Sequence, residues 1–192
     1  MRVARDKGKM RISGGTAKGR KVIFKKSDSS TRPTSAKARE AIFNILREKV
    51  VDCVFLDLYA GTGAVGIEAI SRGAGFVIFV DKDGAKIRII KELIEKFSFK
   101  QGAKFFVEDA LDFLKKTTMK FDIIFADPPY ASLELDKVLP LIDNKNILNN
   151  KGLVIAEHSR KKTLPPIIGR LKLAKIYKYG DTALSLYREE QI

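Results

Sequence analysis

Phe55-Leu56-Asp57-Leu58-Tyr59-Ala60-Gly61-Thr62-Gly63-Ala64-Val65-Gly66 is the stretch that decides the fold. Residues 54–58 are apolar except for Asp57, the pattern of a strand covered on both faces. Gly61 to Gly66 then spell G-x-G-x-x-G. Between a strand and a helix, that spacing gives a tight turn, a close backbone approach to a ligand, and a helix N-terminus aimed at it. The helix is expected to run to Arg72, with Gly73 capping its end. The glycine pattern alone says little. In this setting it predicts a nucleotide-type cofactor.

The same alternation continues down the chain. Strands are expected at residues 76–80, 104–107, 121–126 and 153–157, and helices at 83–96, 110–116 and about 133–142. Repeated strand–helix units predict an α/β fold with a doubly wound, mostly parallel, Rossmann-like sheet. Residues 171–179 and 182–187 flank Gly180-Asp181 and read as a C-terminal hairpin that adds an antiparallel strand at one edge. Ahead of the sheet, residues 10–13 and 20–24 read as a small hairpin around Gly14, Gly15 and Gly19. Residues 25–32 are polar and serine-rich, a linker. Ala38, Ala41, Ile42, Ile45 and Leu46 then follow helical spacing from Thr34 to about Lys49, with Thr34 or Ser35 as cap.

Three carboxylates follow three successive strands of this pattern. Asp81 closes the second, 20 residues after Gly61, where a carboxylate can bind both hydroxyls of a ribose. Asp57 closes the first, four residues before Gly61, where it would repel a pyrophosphate. It suits a cofactor without phosphate, such as S-adenosylmethionine, whose ammonium and sulfonium groups are positive. Asp109 follows the third strand and can accept the amino group of an adenine. Two plainer roles stand beside these: a loop-orienting carboxylate for Asp57 and a helix N-cap for Asp109. Ala60, Gly61, Thr62, Gly63, Lys82 and Ala110 adjoin the carboxylates and complete the expected cofactor site.

Asp127-Pro128-Pro129-Tyr130 follows the fourth strand. Two prolines stiffen the loop and remove two backbone donors, leaving carbonyls that only accept. Tyr130 offers a flat face for stacking a base. An exocyclic amine needs this arrangement, because its lone pair is delocalised into the ring. The Asp127 carboxylate and the Pro128 carbonyl can hold its two hydrogens and turn the lone pair toward a methyl donor. The rest of such a transfer is positioning.

The charge balance points the same way. The chain's 192 residues suit one domain, and 37 Lys+Arg against 23 Asp+Glu leave a net charge of +14. Residues 1–50 hold +11 of that excess, and the other 142 residues only +3. A basic arm on a nearly balanced body suggests a polyanion, most simply nucleic acid; the plainer reading is a solvated surface. Arg11, Lys18, Arg20 and Lys21 on the hairpin are placed to meet phosphates, with Gly14 and Gly15 allowing close approach. The arm lies outside the alternating core, which is expected to fold without it. The opposing reading is a hairpin packed on that core.

The longest apolar run, Phe76–Val80, is far short of the roughly 20 residues of a membrane span, and residues 1–9 are too charged for a signal peptide. A single cysteine, Cys53, and a single histidine, His158, exclude an internal disulfide and a Cys- or His-rich metal centre. The expectation is a cytoplasmic monomer with no metal and no membrane attachment. Cys53 and His158 read as structural, and Arg160-Lys161-Lys162 as either a phosphate contact or a solvated loop.

The motifs also resemble a known family. Residues 55–69, with Ser71-Arg72-Gly73-Ala74, resemble the RsmD family of bacterial methyltransferases, which modify a guanine N2 in 16S ribosomal RNA. Arg11-Ile12-Ser13-Gly14-Gly15 with Lys18-Gly19-Arg20 resembles the family's N-terminal hairpin. Arg32-Pro33-Thr34-Ser35 with Arg39-Glu40-Ala41-Ile42-Phe43-Asn44 resembles its next signature, which places Arg32 and Thr34 near the RNA. Asp127-Pro128-Pro129-Tyr130 matches its catalytic loop, which many amino-methyltransferases share. Ala36 replaces a usual acidic residue and Tyr59 a usual Phe. The resemblance implies a class I methyltransferase fold over residues 33–192 and a basic hairpin extension over 1–32. It implies S-adenosylmethionine as cofactor, and 16S RNA or a small-subunit assembly particle as partner. An N6-adenine DNA methyltransferase uses a similar loop but carries a DNA-reading domain for which this chain has little room. A non-catalytic RNA-binding protein would show a broken cofactor site, and a nicotinamide dehydrogenase conflicts with Asp57.

Overall fold

The alternation read from residue 54 onward forms one eight-stranded sheet in the computed structural model, which describes residues 7–25, 36–129 and 132–189. The elements in chain order begin with β1 (Lys7–Arg11), β2 (Lys21–Lys25), α1 (Ala36–Leu46), β3 (Val54–Asp57) and α2 (Ala64–Ser71). Next come β4 (Phe76–Asp81), α3 (Gly84–Phe97), β5 (Gly102–Val107), α4 (Ala110–Lys116), β6 (Phe121–Ala126) and α5 (Leu135–Asn144). The chain closes with β7 (Leu148–Ser159), β8 (Ile167–Ile168), β9 (Leu171–Tyr179) and β10 (Thr182–Glu189). The sheet order is β5-β4-β3-β6-β7-β10-β9-β8, with β3 to β7 parallel and the last three strands antiparallel. The winding reverses between β3 and β6, and open α/β sheets bind ligands in the crevice at such a reversal.

Both faces of the sheet are covered. Phe55, Phe79, Phe125 and Ile155 pack on one face under α1, α2 and α3, and Leu56, Ile78, Ile124 and Val154 on the other under α4 and α5. This explains the unbroken apolar runs of the parallel strands. The β4–β5 pairing also stacks Phe79 on Phe105 at 5.5 Å between ring centroids.

Three expectations need correction. The helix expected to reach Lys49 ends at Leu46, because Arg47 takes φ 49° and the chain tightens into a 3-10 turn over Arg47–Val50. Its predicted cap, Thr34 or Ser35, lies outside the described residues. β7 begins at Leu148 rather than 153, as pairing with Phe121 of β6 extends it across a register shift. The C-terminal hairpin forms as β9 and β10, but it does not stop at one edge strand: β10 lies inside the sheet against β7, and an unexpected short strand, β8, closes the edge beyond β9.

The N-terminal hairpin forms, with Met10 opposite Val22, though its first strand spans Lys7–Arg11 rather than 10–13, and it does not stand clear of the core. Ile12, Ala17 and Val22 are buried in the cluster under α1 and α2. Its turn is bonded to the end of α2: Thr16 N–H donates to the Ser71 carbonyl at 2.7 Å, Ala17 N–H to Ser71 Oγ at 2.9 Å, and Ser71 Oγ to the Gly14 carbonyl at 2.6 Å. Gly15 meets the helix so closely, at φ 75°, that a Cβ there would lie 1.7 Å from the Ser71 carbonyl oxygen. Gly15 therefore makes room for the helix backbone, and Gly14 for the Arg72 guanidinium, 2.4 Å from where its Cβ would lie. A buried ion cluster completes the seam. Glu68, with no exposed surface, receives Arg39 Nε at 2.7 Å and Arg72 Nη2 at 2.9 Å, and the Ser13 hydroxyl and amide also donate to it. Burial alone would raise the Glu68 carboxyl, yet the bonds from Ser13, Arg39 and Arg72 together hold it below the usual carboxylate range.

The expectation that the core folds without this arm is therefore reversed. Removing residues 1–24 exposes the seats of Ile12 and Val22, at about 1.5–3 kcal/mol for each large side chain, and strips a donor from buried Glu68. That is a large share of a typical 5–15 kcal/mol total. A thermal melt of the truncated chain should show a strongly lowered or lost cooperative transition; an unchanged melt would restore the independent arm.

Candidate active site

The C-terminal ends of β5, β4, β3 and β6 bring four sequence-predicted carboxylates into one row: Asp109, Asp81, Asp57 and Asp127, in the order of the strands. Adjacent strands lie about 4.8 Å apart, so the row spans roughly 14 Å. Asp57 and Asp127 stand on either side of the winding reversal.

Asp57 is 1% exposed, and its Oδ2 accepts the Gly66 N–H at 2.9 Å. The loop-orienting role is thus real: the carboxylate ties the third glycine to the end of β3. Gly66 also has no room for a side chain, since a Cβ would lie 2.2 Å from the Phe79 ring. Burial pushes the Asp57 carboxyl up to about 7; the Gly66 bond opposes this, and the charges of Asp127 and Asp81 add to it. Asp81 Oδ2 accepts the Gly61 N–H at 2.8 Å and Oδ1 the Asp83 N–H at 2.9 Å, with the Lys86 ammonium 3.8 Å away. Asp81 therefore shapes the loop that it was expected to face. Asp109 is exposed and caps α4, accepting the Leu111 N–H at 2.9 Å. The plainer roles leave room for the cofactor roles, because each carboxylate oxygen has a second lone pair.

The glycine loop closes through Ala60 N–H to the Val80 carbonyl at 2.9 Å and Gly63 N–H to the Ala60 carbonyl at 2.7 Å. Gly63, at φ 73°, is the N-cap residue of α2. Thr62 is half-buried beside it, while Lys82 is exposed and Ala110 buried on the next two strand ends. A Cβ at Gly61 would find only the Tyr59 carbonyl, 3.8 Å away, so the loop opens onto free space. Open space lined by carboxylates fits a positively charged cofactor without phosphates. It fits a pyrophosphate poorly.

The Asp127 loop leaves β6 beside this row. Pro128 is buried and Pro129 exposed, and the Pro129 carbonyl accepts the Ser132 N–H at 2.9 Å to close the turn. Tyr130, Arg32 and Thr34 lie outside the described residues. Sequence reasoning noted Tyr59 only as a replacement for Phe and passed over Glu134: burial, then the neighbouring Glu134 carboxylate, raises the Tyr59 hydroxyl. It also missed the Arg39–Glu68 pair, whose signal was two charged residues on otherwise apolar helix faces.

Arg11, Lys18, Arg20 and Lys21 are exposed. Arg20 also donates to the Phe97 carbonyl at 3.1 Å and lies over its ring. The hairpin turn meets the C-terminal ends of α2 and α3, away from the glycine loop by the length of α2, about 12 Å. His158 is buried, and its Nδ1–H donates to the Ser159 carbonyl at 2.9 Å. Its Nε2 thereby accepts the Ser185 hydroxyl at 2.8 Å. Burial lowers its pKa, consistent with a neutral structural ring. Cys53 is buried at the start of β3. No group of metal-ligating side chains occurs among the described residues, and none of their helices is long and apolar enough to cross a membrane.

Two predictions follow from the electrostatics. Asp57 titrates higher in the folded chain than its ordinary 3.8. The stability it contributes is full below pH 4 and is lost as pH rises through about 7. A cationic ligand prefers the ionised form, so S-adenosylmethionine affinity should rise with pH through about 7 and binding should release a proton. Calorimetry in buffers of different ionisation enthalpy measures that proton, and Asp57→Asn should abolish the dependence. Asp81→Ala should weaken the same binding by about 1.5–3 kcal/mol or more, since ribose bonds and the Gly61 anchor go together. Unchanged affinity in a titration would remove Asp81 from the site.

Comparison with known proteins agrees with this geometry. The profile of a family described as conserved hypothetical protein 95 matches residues 10–188. A Bacillus subtilis relative provisionally named as an rRNA methyltransferase, YlbH, is 37% identical over 94% of this chain and 99% of its own. The ribosomal RNA small subunit methyltransferase D of Escherichia coli is 32% identical over 95% of this chain and 91% of its own. A solved Escherichia coli chain provisionally named as methyltransferase yhhF superposes with a TM-score of 0.84 at 29% identity, covering 95% of this chain and 99% of that one. The row of strand-end carboxylates, the glycine loop and these matches lead to one family: the chain belongs to the RsmD methyltransferases, which take their methyl group from S-adenosylmethionine.

Proposed function

We propose that the protein transfers a methyl group from S-adenosylmethionine to the exocyclic N2 of a guanine in 16S ribosomal RNA, at the position numbered 966 in that RNA. The observation that carries this reading is the juxtaposition at the winding reversal: buried Asp57 on β3, and the Asp127-Pro128-Pro129 loop on β6 next to it. Bound S-adenosylmethionine supplies an activated methyl group at a positive sulfur. Asp57, when ionised, holds the ammonium end, Asp81 the ribose and Asp109 the adenine. Asp127 and the Pro128 carbonyl accept the two hydrogens of the guanine amine and aim its lone pair at the methyl group. Asp127 is also the nearest base for the proton the nitrogen sheds after transfer. Tyr130 stacks on the base. Arg11, Lys18, Lys21 and Arg32 meet RNA phosphates, Arg20 shares that role with its anchor on Phe97, and Thr34 borders the RNA. The protein acts as a cytoplasmic monomer on free RNA or a small-subunit particle.

The test is nucleoside analysis of ribosomal RNA from cells lacking the protein, after treatment with enzyme and labelled cofactor. N2-methylguanosine is the expected product; N6-methyladenine in DNA would instead favour the adenine reading. Asp127→Ala should lower kcat by at least a hundredfold while cofactor affinity stays within a fewfold, because the role is orientation of the amine. Near-normal methylation by this variant would overturn the role given to the loop.

A further inference from the structure

Beyond β7, the edge from which the active-site loops emerge carries cations and rings that the chemistry above leaves unused. Arg160 and Lys161 are exposed in the loop after β7. Arg160 N–H donates to the Asp181 carbonyl at 2.8 Å, and Lys162 N–H to the Ser159 carbonyl at 2.9 Å. These bonds join the loop to the β9–β10 turn in one ledge. Thr182 pairs with both Ser159 and Tyr179, which sets Tyr179 level with the loop.

The register also fixes which way the rings face. Tyr177 lies opposite Leu184 and Lys175 opposite Leu186, and both leucines belong to the core under α1 to α3. Lys175, Tyr177 and Tyr179 therefore project from the face of the sheet that carries Asp57. The Lys175 ammonium sits 4.8 Å from the Tyr177 ring centroid, and Tyr179 is 36% exposed. β8 pairs with Leu171 and Lys172, and Leu173 N–H donates to the Pro166 carbonyl at 2.8 Å, so from Ala174 onward β9 is an edge among the described residues. Lys178 is exposed on it.

The charge of this ledge selects its occupant. Arg160, Lys161, Lys175 and Lys178 face solvent against one exposed carboxylate, Asp181. Lys162 is held by Asp136 at 3.0 Å and does not join them. Cations beside an exposed ring, Tyr179, and a half-buried one, Tyr177, suit a nucleic-acid single strand, whose phosphates need charge and whose unstacked bases need flat partners. From β6 to β9 is three strand spacings, about 14 Å, a distance that a few nucleotides span. The ledge lies on the edge that carries Asp127, whereas the N-terminal hairpin turn docks at the opposite end of α2.

We infer that the Ser159–Lys162 loop and the β9–β10 hairpin form a second RNA contact, holding a single-stranded segment beside the target nucleotide. Its phosphates rest on Arg160, Lys161 and Lys175, and a base stacks on Tyr179. The inference rests on the reading that the substrate is RNA.

The test uses the full-length protein and an rRNA fragment containing the target, titrated at several salt concentrations. The triple variant Arg160→Ala/Lys161→Ala/Lys175→Ala should lower the slope of log affinity against log salt by about 2, near 0.7 for each lost phosphate contact to a single strand. Its loss should appear in KM for RNA rather than kcat, with S-adenosylmethionine affinity unchanged. Tyr179→Ala should weaken RNA binding about tenfold, and Tyr179→Phe should restore it. Photocrosslinking of the unaltered protein to 4-thiouridine-substituted RNA should label the segment around Tyr179, independently of how any variant folds. An unchanged slope, or crosslinks confined to other segments, would overturn the second contact even if guanine methylation is confirmed. A lowered slope with no N2-methylguanosine formed would leave the contact standing and remove the proposed reaction.

Discussion

Glu68 has no surface in contact with water, and three parts of the chain meet at its carboxylate. Arg39 comes from α1, Arg72 from the end of α2, and Ser13 from the N-terminal hairpin. A buried charge without partners would cost several kcal/mol, so the cluster forms only when all three segments are in place. α2 begins at the glycine loop and ends at the hairpin turn. The same helix therefore positions the cofactor loop at one end and receives the basic arm at the other. One helix thus connects the hairpin to the active-site loop in this fold.

The second constraint is electrostatic. Four carboxylates at adjacent strand ends repel one another, and the structure relieves that cost through backbone donors. Gly66, Gly61, Asp83 and Leu111 each give an N–H to one of Asp57, Asp81 or Asp109. Asp57 is buried with a backbone donor at 2.9 Å, and its carboxyl is driven up to about 7. A site with an acidic row and one carboxyl held near neutrality is prepared for a positive ligand, whose charge supplies what the folded chain lacks. The methyl donor of this family is such a ligand.

The basic surface divides in two. The hairpin cations sit by the ends of α2 and α3, where Arg20 is partly spent on Phe97. Those of the C-terminal ledge share an edge with Asp127. An RNA that engages both must pass along the α1–α3 side of the molecule. Target choice would then depend on RNA shape across that span as well as on the base in the site.

The amino-acid sequence by itself determined the strand–helix alternation, the glycine loop, and which carboxylates end which strands. These are local facts: the apolar runs of residues 76–80 and 123–126, and an Asp at each run's end, need no knowledge of neighbours. Even α4, β6 and β9 begin and end where the pattern places them. Only the tertiary structure decided the order of the strands, and with it the juxtaposition of Asp57 and Asp127, 70 positions apart in the chain. It also decided the fate of the hairpin. Composition shows Ser13, Gly14, Gly15 and Arg20 as a polar, basic turn fit for solvent or phosphate. Their actual partners, Glu68, Ser71 and Phe97, lie 55 to 77 residues away, and a buried polar contact leaves no periodic trace in sequence because its cost is met by whatever donor the fold brings to it.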